Sequence, residues 1–352
     1  MTKERQRERE VHLVGSVPAG SAGVAIRWAL QELGNRLRTV PDGETGDRYS
    51  WIMSQEPRIA NSHAFVVKRA GTWSSYMDIP RYAVAPGHKL TGTSLDLQYA
   101  HHAIMGRWTL DETLKEAGLP DRPLLVGIPS PVDLAVFMLG LPAGLRHRGA
   151  FIDATASEVH EARAETKSRA VYQLEMPLET VMAIKAAKLP ALARRQLHRK
   201  LIKDVIRLVK QTPMGTPWII HLCLGDLRNT PVARAESTQP MVELIDALID
   251  AWPHAENTLV AVHLPLCDGQ LPPSLDPAFY RPLCQLRGIG ITYHAGFAHL
   301  RSTIEDQRQV QGFIEEALDG YAGVASPCGL GRMDMERASR LAMRYRELAA
   351  IA

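Results

Sequence analysis

Cysteine is scarce in this chain: four in 352 residues, at 223, 267, 284 and 328, all in the second half. So few in so long a chain make no disulfide framework and leave metal binding or buried thiols as their roles. An excess of one charge is also missing. Lys and Arg number 41 against 38 Asp and Glu, a net of only +3, which argues against a nucleic-acid binder, whose surface is strongly basic. No run approaches the roughly 18 uncharged apolar residues of a membrane span, so no membrane partner is expected. The opening MTKERQRERE has no apolar core behind it, unlike a signal peptide, which points to a cytoplasmic protein. No internal repeat or linker is visible. What remains is an ordinary globular composition, 45% apolar and 22% charged.

Eight short apolar or β-branched runs bounded by turn residues read as strands: 11–16, 37–43, 124–129, 171–176, 218–223, 259–264, 289–294 and 323–328. Most are continuously apolar, as in strands buried on both faces of a parallel sheet. Helical patterns at 23–37, 153–169, 187–210, 241–252, 304–318 and 335–349 lie between most of them. This alternation implies an α/β fold, a single (β/α)8 TIM barrel over 11–352 behind a charged tail at 1–10. A doubly wound open sheet is the alternative, but VGSVPAG at 14–20 lacks the dinucleotide fingerprint. The stretch 49–107, with its Trp, Tyr, Gly and Pro residues, breaks the rhythm. It reads as an insertion after the second strand near the barrel mouth, or as a packed surface subdomain with no part in chemistry.

In such a barrel the chemistry sits at the C-terminal strand ends. Read in order, these ends offer Ser16, Glu44, Ser130, Glu175, His221 with Cys223, His263, His294 and Cys328. His221 and Cys223 are two apart on one strand and so share a face. An imidazole and a thiolate together suit Zn²⁺, which takes N and S ligands at about 2.0–2.3 Å. The plain alternative is a satisfied core His beside a buried Cys. Cys328, in SPCGLGR, is a third donor, and His263 and Cys267 compete as a fourth. Cys284 reads as a core residue. Glu175 lies among Leu174, Met176 and Pro177, where an unpaired carboxylate is costly. It is either a functional group or the partner of an inward Arg. Glu44, in DGETGDR, is solvated or a second such group.

GSVP at 15–18, GETGDR at 43–48, LEMP at 174–177, HLC at 221–223 and SPCGLGR at 326–332 come in an order that resembles a known family. They are similar to the GSFP, GEPERN, IDEPA, H-x-C and PDCGLKTR segments of the catalytic barrel of cobalamin-independent methionine synthase, in the superfamily that includes uroporphyrinogen decarboxylase. The resemblance implies a zinc-dependent methyl or alkyl transferase acting on a small thiol, homocysteine or a related amino-thiol. It implies zinc held by His221, Cys223, Cys328 and, where the family has Glu, His263. It implies that Ser16, Glu44 and Glu175 hold the amino-acid part of the thiol. His294 takes the place of the catalytic proton donor, although TYHAGF departs from the family's D-x-H. Where the family has an aromatic that helps to hold the folate, this loop reads SPVDLAVF, without Trp. The synthases carry two related barrels and this chain one. The donor is then expected to be another small molecule or a corrinoid protein.

Two thiolates and two imidazoles bring zinc to about zero net charge, against about −1 with Glu in the set. The less negative site holds a thiolate more tightly and leaves it a weaker nucleophile, so either a donor more activated than methyl folate is expected or the metal polarises an oxygen or nitrogen substrate instead. Two other classes stay open. One is a metal-free lyase of the uroporphyrinogen decarboxylase type, for which Arg48 is the obvious basic residue among the motifs. The other is a zinc-binding barrel without catalysis.

Overall fold

Seven parallel strands form one sheet, in the order Val40–Pro41, Leu124–Pro129, Ala170–Met176, Pro217–Leu222, Thr258–Pro265, Thr292–Gly296 and Gly323–Ala325. The computed structural model describes residues 9–75, 78–227 and 230–350. The sheet is curled, because Val11 bridges in parallel to both Leu37 and Val324, at its opposite edges. Backbone bonds from Val11 N to Arg36 O and from His12 N to Val324 O, both 2.9 Å, hold that segment in the gap. The expected α/β fold is therefore present as a curled parallel sheet with helices packed around it. The expected first strand is a bridging segment rather than a ladder. The second is two residues long, since Pro41 has no N–H to donate.

The period of two separates the sheet's faces. Leu125, Val171, Ile219 and Ala261, one from each of four neighbouring strands, form a small buried cluster of their own. Val126, Tyr172, Trp218 and Val262 belong to the main core. Two residues further along the first face come Gly127, Gln173, His221 and His263, so the face that packs a small apolar layer early in the strands turns polar later.

Proline marks the exits. Pro131 and Pro177 open helices Pro131–Leu139 and Pro177–Lys185 directly after strands; a missing N–H is tolerated in a first turn and cannot extend a ladder. Neither helix was expected, and a third, Leu141–Glu165, starts well before the 153–169 pattern. Helices Ile304–Leu318 and Met335–Ala349 match expectation. Their caps are clear in the sequence: Thr303 accepts from Asp306 N at 3.0 Å, and Asp334 from Arg337 N at 2.7 Å.

After the second strand the chain runs through a 3-10 stretch, Gly46–Gln55, helix Glu56–Asn61 and an antiparallel pair, Phe65–Arg69 with Arg81–Val84. Helix Tyr99–Glu116 begins inside the stretch expected to be irregular as far as 107. Its start is capped from a distance: Glu158 accepts from Gln98 N at 2.9 Å and Ala100 N at 2.8 Å. No local signal announces such a cap. The pair docks on helix Pro131–Leu139, where Arg81 donates to Phe137 O and Trp73 stacks on Phe137.

Of the expected tail at 1–10, residues 1–8 lie outside the described residues. Arg9 and Glu10 are anchored: Arg9 bonds Glu315 at 2.5 Å and Glu10 pairs with Arg38. Among the described residues, no helix is long and apolar enough to cross a membrane.

Two buried acids stand in the first turns of the unexpected helices. Asp133 and Glu179 are fully enclosed. Ser130 Oγ donates to Glu179 Oε1 at 2.5 Å, while Glu179 Oε2 and both Asp133 oxygens lack a hydrogen-bond partner. Burial pushes Glu179 up to about 7 and, with Glu179 beside it, Asp133 well above the carboxylate range. Both values are raised on folding. The stability they allow is complete below about pH 4 and is lost as pH rises through about 7. The urea midpoint should fall between pH 5 and pH 8, and fall less in Asp133→Asn. Equal falls in both proteins would show that Asp133 is not the source.

Candidate metal centre and substrate cleft

His221 lies on the strand Pro217–Leu222, and Cys223 follows it. Cys328 follows the strand Gly323–Ala325. One ligand atom from each of His221, Cys223 and Cys328 lies within 4.8 Å of the other two. His221 and Cys223 are buried and Cys328 is half-buried. The Cys328 thiol is held well below its ordinary range. The main cause is a hydrogen bond from Cys223; His221 and Arg332 add to it and outweigh burial. Arg332 Nη1 donates to Cys328 Sγ at 3.7 Å. Two sulfurs, one already favoured as a thiolate, and one imidazole are donor types that a metal ion such as Zn²⁺ takes.

His263 stands behind His221 rather than beside the sulfurs. The two Nδ1 atoms are 2.7 Å apart, and His263 Nε2 donates to Ser326 O at 2.9 Å. With both ring nitrogens engaged, His263 is not in the donor cluster, contrary to its expected place as fourth ligand. The strand runs on to Pro265, which leaves His263 inside the sheet, in register with His221 and His294. Burial, reinforced by the imidazoles of His221 and His12, pushes His263 well below the usual histidine range. Cys267 lines a cleft with Cys223 and Cys328, but its Sγ donates to Gly296 O at 3.4 Å and burial pushes its thiol up. Cys284 is exposed, not a core residue.

The expected substrate carboxylates do meet. A Cβ on Gly127 would collide with Glu44 Oε1 and lie 3.2 Å from Glu175 Oε1, so both carboxyls converge over this glycine. Glu44 sits in the left-handed region at φ 47°, uncommon for a residue with a side chain. Its N–H is held by Asp42 Oδ1 at 3.0 Å, and Arg48 clamps Asp42 from the other side. Burial pushes Glu44 up to about 7, against the pull of Arg48. Burial and the Glu44 charge push Glu175 well above the carboxylate range. Gln173 Nε2 donates to Glu175 Oε1 at 3.2 Å. Ser16 accepts at Oγ from Gly331 N at 3.2 Å and at its carbonyl from Leu330 N at 2.8 Å. This stitches the first segment to the loop after Cys328. Ser54 and Gln55 line a cleft with Glu44, Gly127 and Pro129, which brings the segment after the second strand to the site.

His294 points elsewhere. Its ring stacks on His12, centroids 4.4 Å apart, and its Nε2 lies 3.8 Å from Glu10. Glu10 precedes the bridging segment, at the end of the sheet where strands begin. The structure does not bring His294 to the donor cluster. Arg48, the basic residue considered for a lyase, is taken up by Asp42. Sequence reasoning missed Arg332, although it lies inside the quoted SPCGLGR. It also missed Gln173, whose spacing of two from Glu175 was the available signal.

No protein-family model matches the sequence, and no curated protein matches it. The structure is similar to a B12-independent methionine synthase from Shewanella sp. W3-18-1 in complex with selenomethionine, at TM-score 0.59 and 12% identity over 97% of each chain. A methyltransferase from Methanosarcina mazei is similar at TM-score 0.49 and 12% identity, over 97% of this chain and 95% of that one. At such identity the first likeness is one of fold: this chain is built on the architecture of a B12-independent methionine synthase.

Proposed function

We propose that this protein is a zinc-dependent methyl or alkyl transferase acting on a small amino-thiol such as homocysteine. The observation that carries this reading is the cluster of His221, Cys223 and Cys328 within 4.8 Å, beside the paired carboxyls of Glu44 and Glu175. The donor set suits zinc, and three protein ligands leave a coordination position for substrate. When bound, zinc keeps the substrate sulfur deprotonated as a nucleophile near neutral pH.

The chain's own groups would seat the rest of the substrate. Glu44 and Glu175, crowded and short of counter-charge, gain a cation when the ammonium arrives and ionise fully. The backbone donors around Ser16 and the Arg332 guanidinium suit the carboxylate. Two thiolates and a neutral imidazole would bring the ion to about zero charge, which favours a donor more activated than methyl folate. The similar synthase is in complex with selenomethionine, an amino acid carrying a methylated chalcogen.

The test is a donor panel. Zinc-loaded protein, homocysteine and either a methyl sulfonium or a methylated corrinoid should yield alkylated thiol by mass spectrometry. Methyltetrahydrofolate should yield little. A product from none of the three overturns the transferase reading. Decarboxylation of a porphyrin carboxylate by zinc-free protein would establish the lyase instead.

A further inference from the structure

A carbonyl oxygen can only accept a hydrogen bond. The 2.9 Å contact between His263 Nε2 and Ser326 O therefore places a hydrogen on Nε2. A neutral His263 then offers a lone pair at Nδ1. Across the 2.7 Å gap stands His221 Nδ1, which must carry the hydrogen that fills it. His221 Nε2 is left with its lone pair, on the side of the ring away from His263.

The arrangement is built tightly. A Cβ on Gly296 would lie 2.8 Å from His263 Nε2 and 2.9 Å from Ser326 O, so only glycine lets this donor and acceptor meet. Ser326 Oγ in turn donates to Cys328 O at 2.6 Å. His221, His263, Ser326 and Cys328 thus form one chain of contacts that links two strands to the loop after Gly323–Ala325, beginning and ending on a residue of the donor cluster.

We propose that His263 is a positioning residue: it fixes His221 in the Nδ1–H tautomer, presents Nε2 to the metal, and leaves the ion with three protein ligands. The inference rests on the zinc reading above. It assigns to an imidazole the outer role that orients a metal-bound histidine, a role more often filled by a carboxylate or a carbonyl.

X-ray absorption at the zinc edge of the loaded wild-type protein should show two sulfurs and one imidazole, completed by a light atom from water. Two sulfurs and two imidazoles would overturn the inference while leaving the zinc reading in place. Zinc without sulfur neighbours would overturn both. In parallel, His263→Leu should weaken zinc binding about ten- to a hundredfold in chelator competition, yet still bind a single ion per chain at saturating zinc. His263→Gln, whose amide can accept from His221 and donate to Ser326, should restore most of the loss. Unchanged affinity in His263→Leu, or complete loss of zinc from both folded variants, would overturn the positioning role.

Discussion

Replacing Cys328 by Ser should reduce zinc from about one ion per chain to background and slow thiol alkylation on the order of a thousandfold, the equivalent of several kcal/mol of transition-state stabilisation. The protein should stay folded. Cys328 is half-buried, on a loop after its strand, and lies outside the apolar core. What it contributes is charge: its thiolate collects Cys223, His221 and Arg332 around one atom. A serine hydroxyl has nearly the same shape but does not ionise near neutrality, which leaves two donors where three are needed. His221→Ala should strip the metal equally but cost more stability, about 1–3 kcal/mol, because His263 loses the donor to its buried Nδ1. Elemental analysis and thermal unfolding together check both. Full zinc content in folded Cys328→Ser would remove Cys328 from the site.

The second large effect concerns affinity. In the double variant Glu44→Gln, Glu175→Gln, KM for the amino-thiol should rise on the order of a hundredfold or more, since hydrogen bonds to charged groups contribute about 1.5–3 kcal/mol each. Zinc content should not change. Gly127→Ala should push in the same direction without touching a charge, because its methyl group would occupy the place of Glu44 Oε1. The wild-type carboxyls are held together against their own repulsion and against burial. The double variant should therefore melt at a higher temperature than the wild type at pH 8, exchanging function for stability. An unaltered KM would mean that the substrate's amino group is seated elsewhere.

The sequence was informative wherever chemistry follows from spacing along one strand or from a cap. The two-residue step from His221 to Cys223 announced a shared face, and Thr303 and Asp334 announced the helices they start. Cys328 was legible as a candidate beside His221 and Cys223, and the structure brings its sulfur within 4.8 Å of their ligand atoms. His263 was not legible as a positioning group. Its role depends on where the strand stops, at Pro265, and on Ser326 O meeting it across another strand. The direction of the His294 ring was not legible, because an inward histidine looks the same in sequence whether its ring turns toward the strand ends or toward Glu10. Helix Tyr99–Glu116 was obscured by a start capped by Glu158, which is distant in the chain. Cys284 lies beside Leu283 and Leu286, which are buried, and apolar neighbours say little about the residue between them.

Val11, which touches both edges of the sheet, has a consequence for how the chain reaches its final form. Its partners are Leu37, close by, and Val324, nearly the whole chain away. The second contact carries a large loop-closure cost and follows the pairings between sequence neighbours. Until it forms, the sheet has two open edges, one at Val40–Pro41 and one at Gly323–Ala325, and an open edge is a template for another chain's strand. Residues 9–12 thus act as a clasp: Val11 joins the core, and by bridging both edges the segment decides whether seven strands close on themselves or on a neighbour.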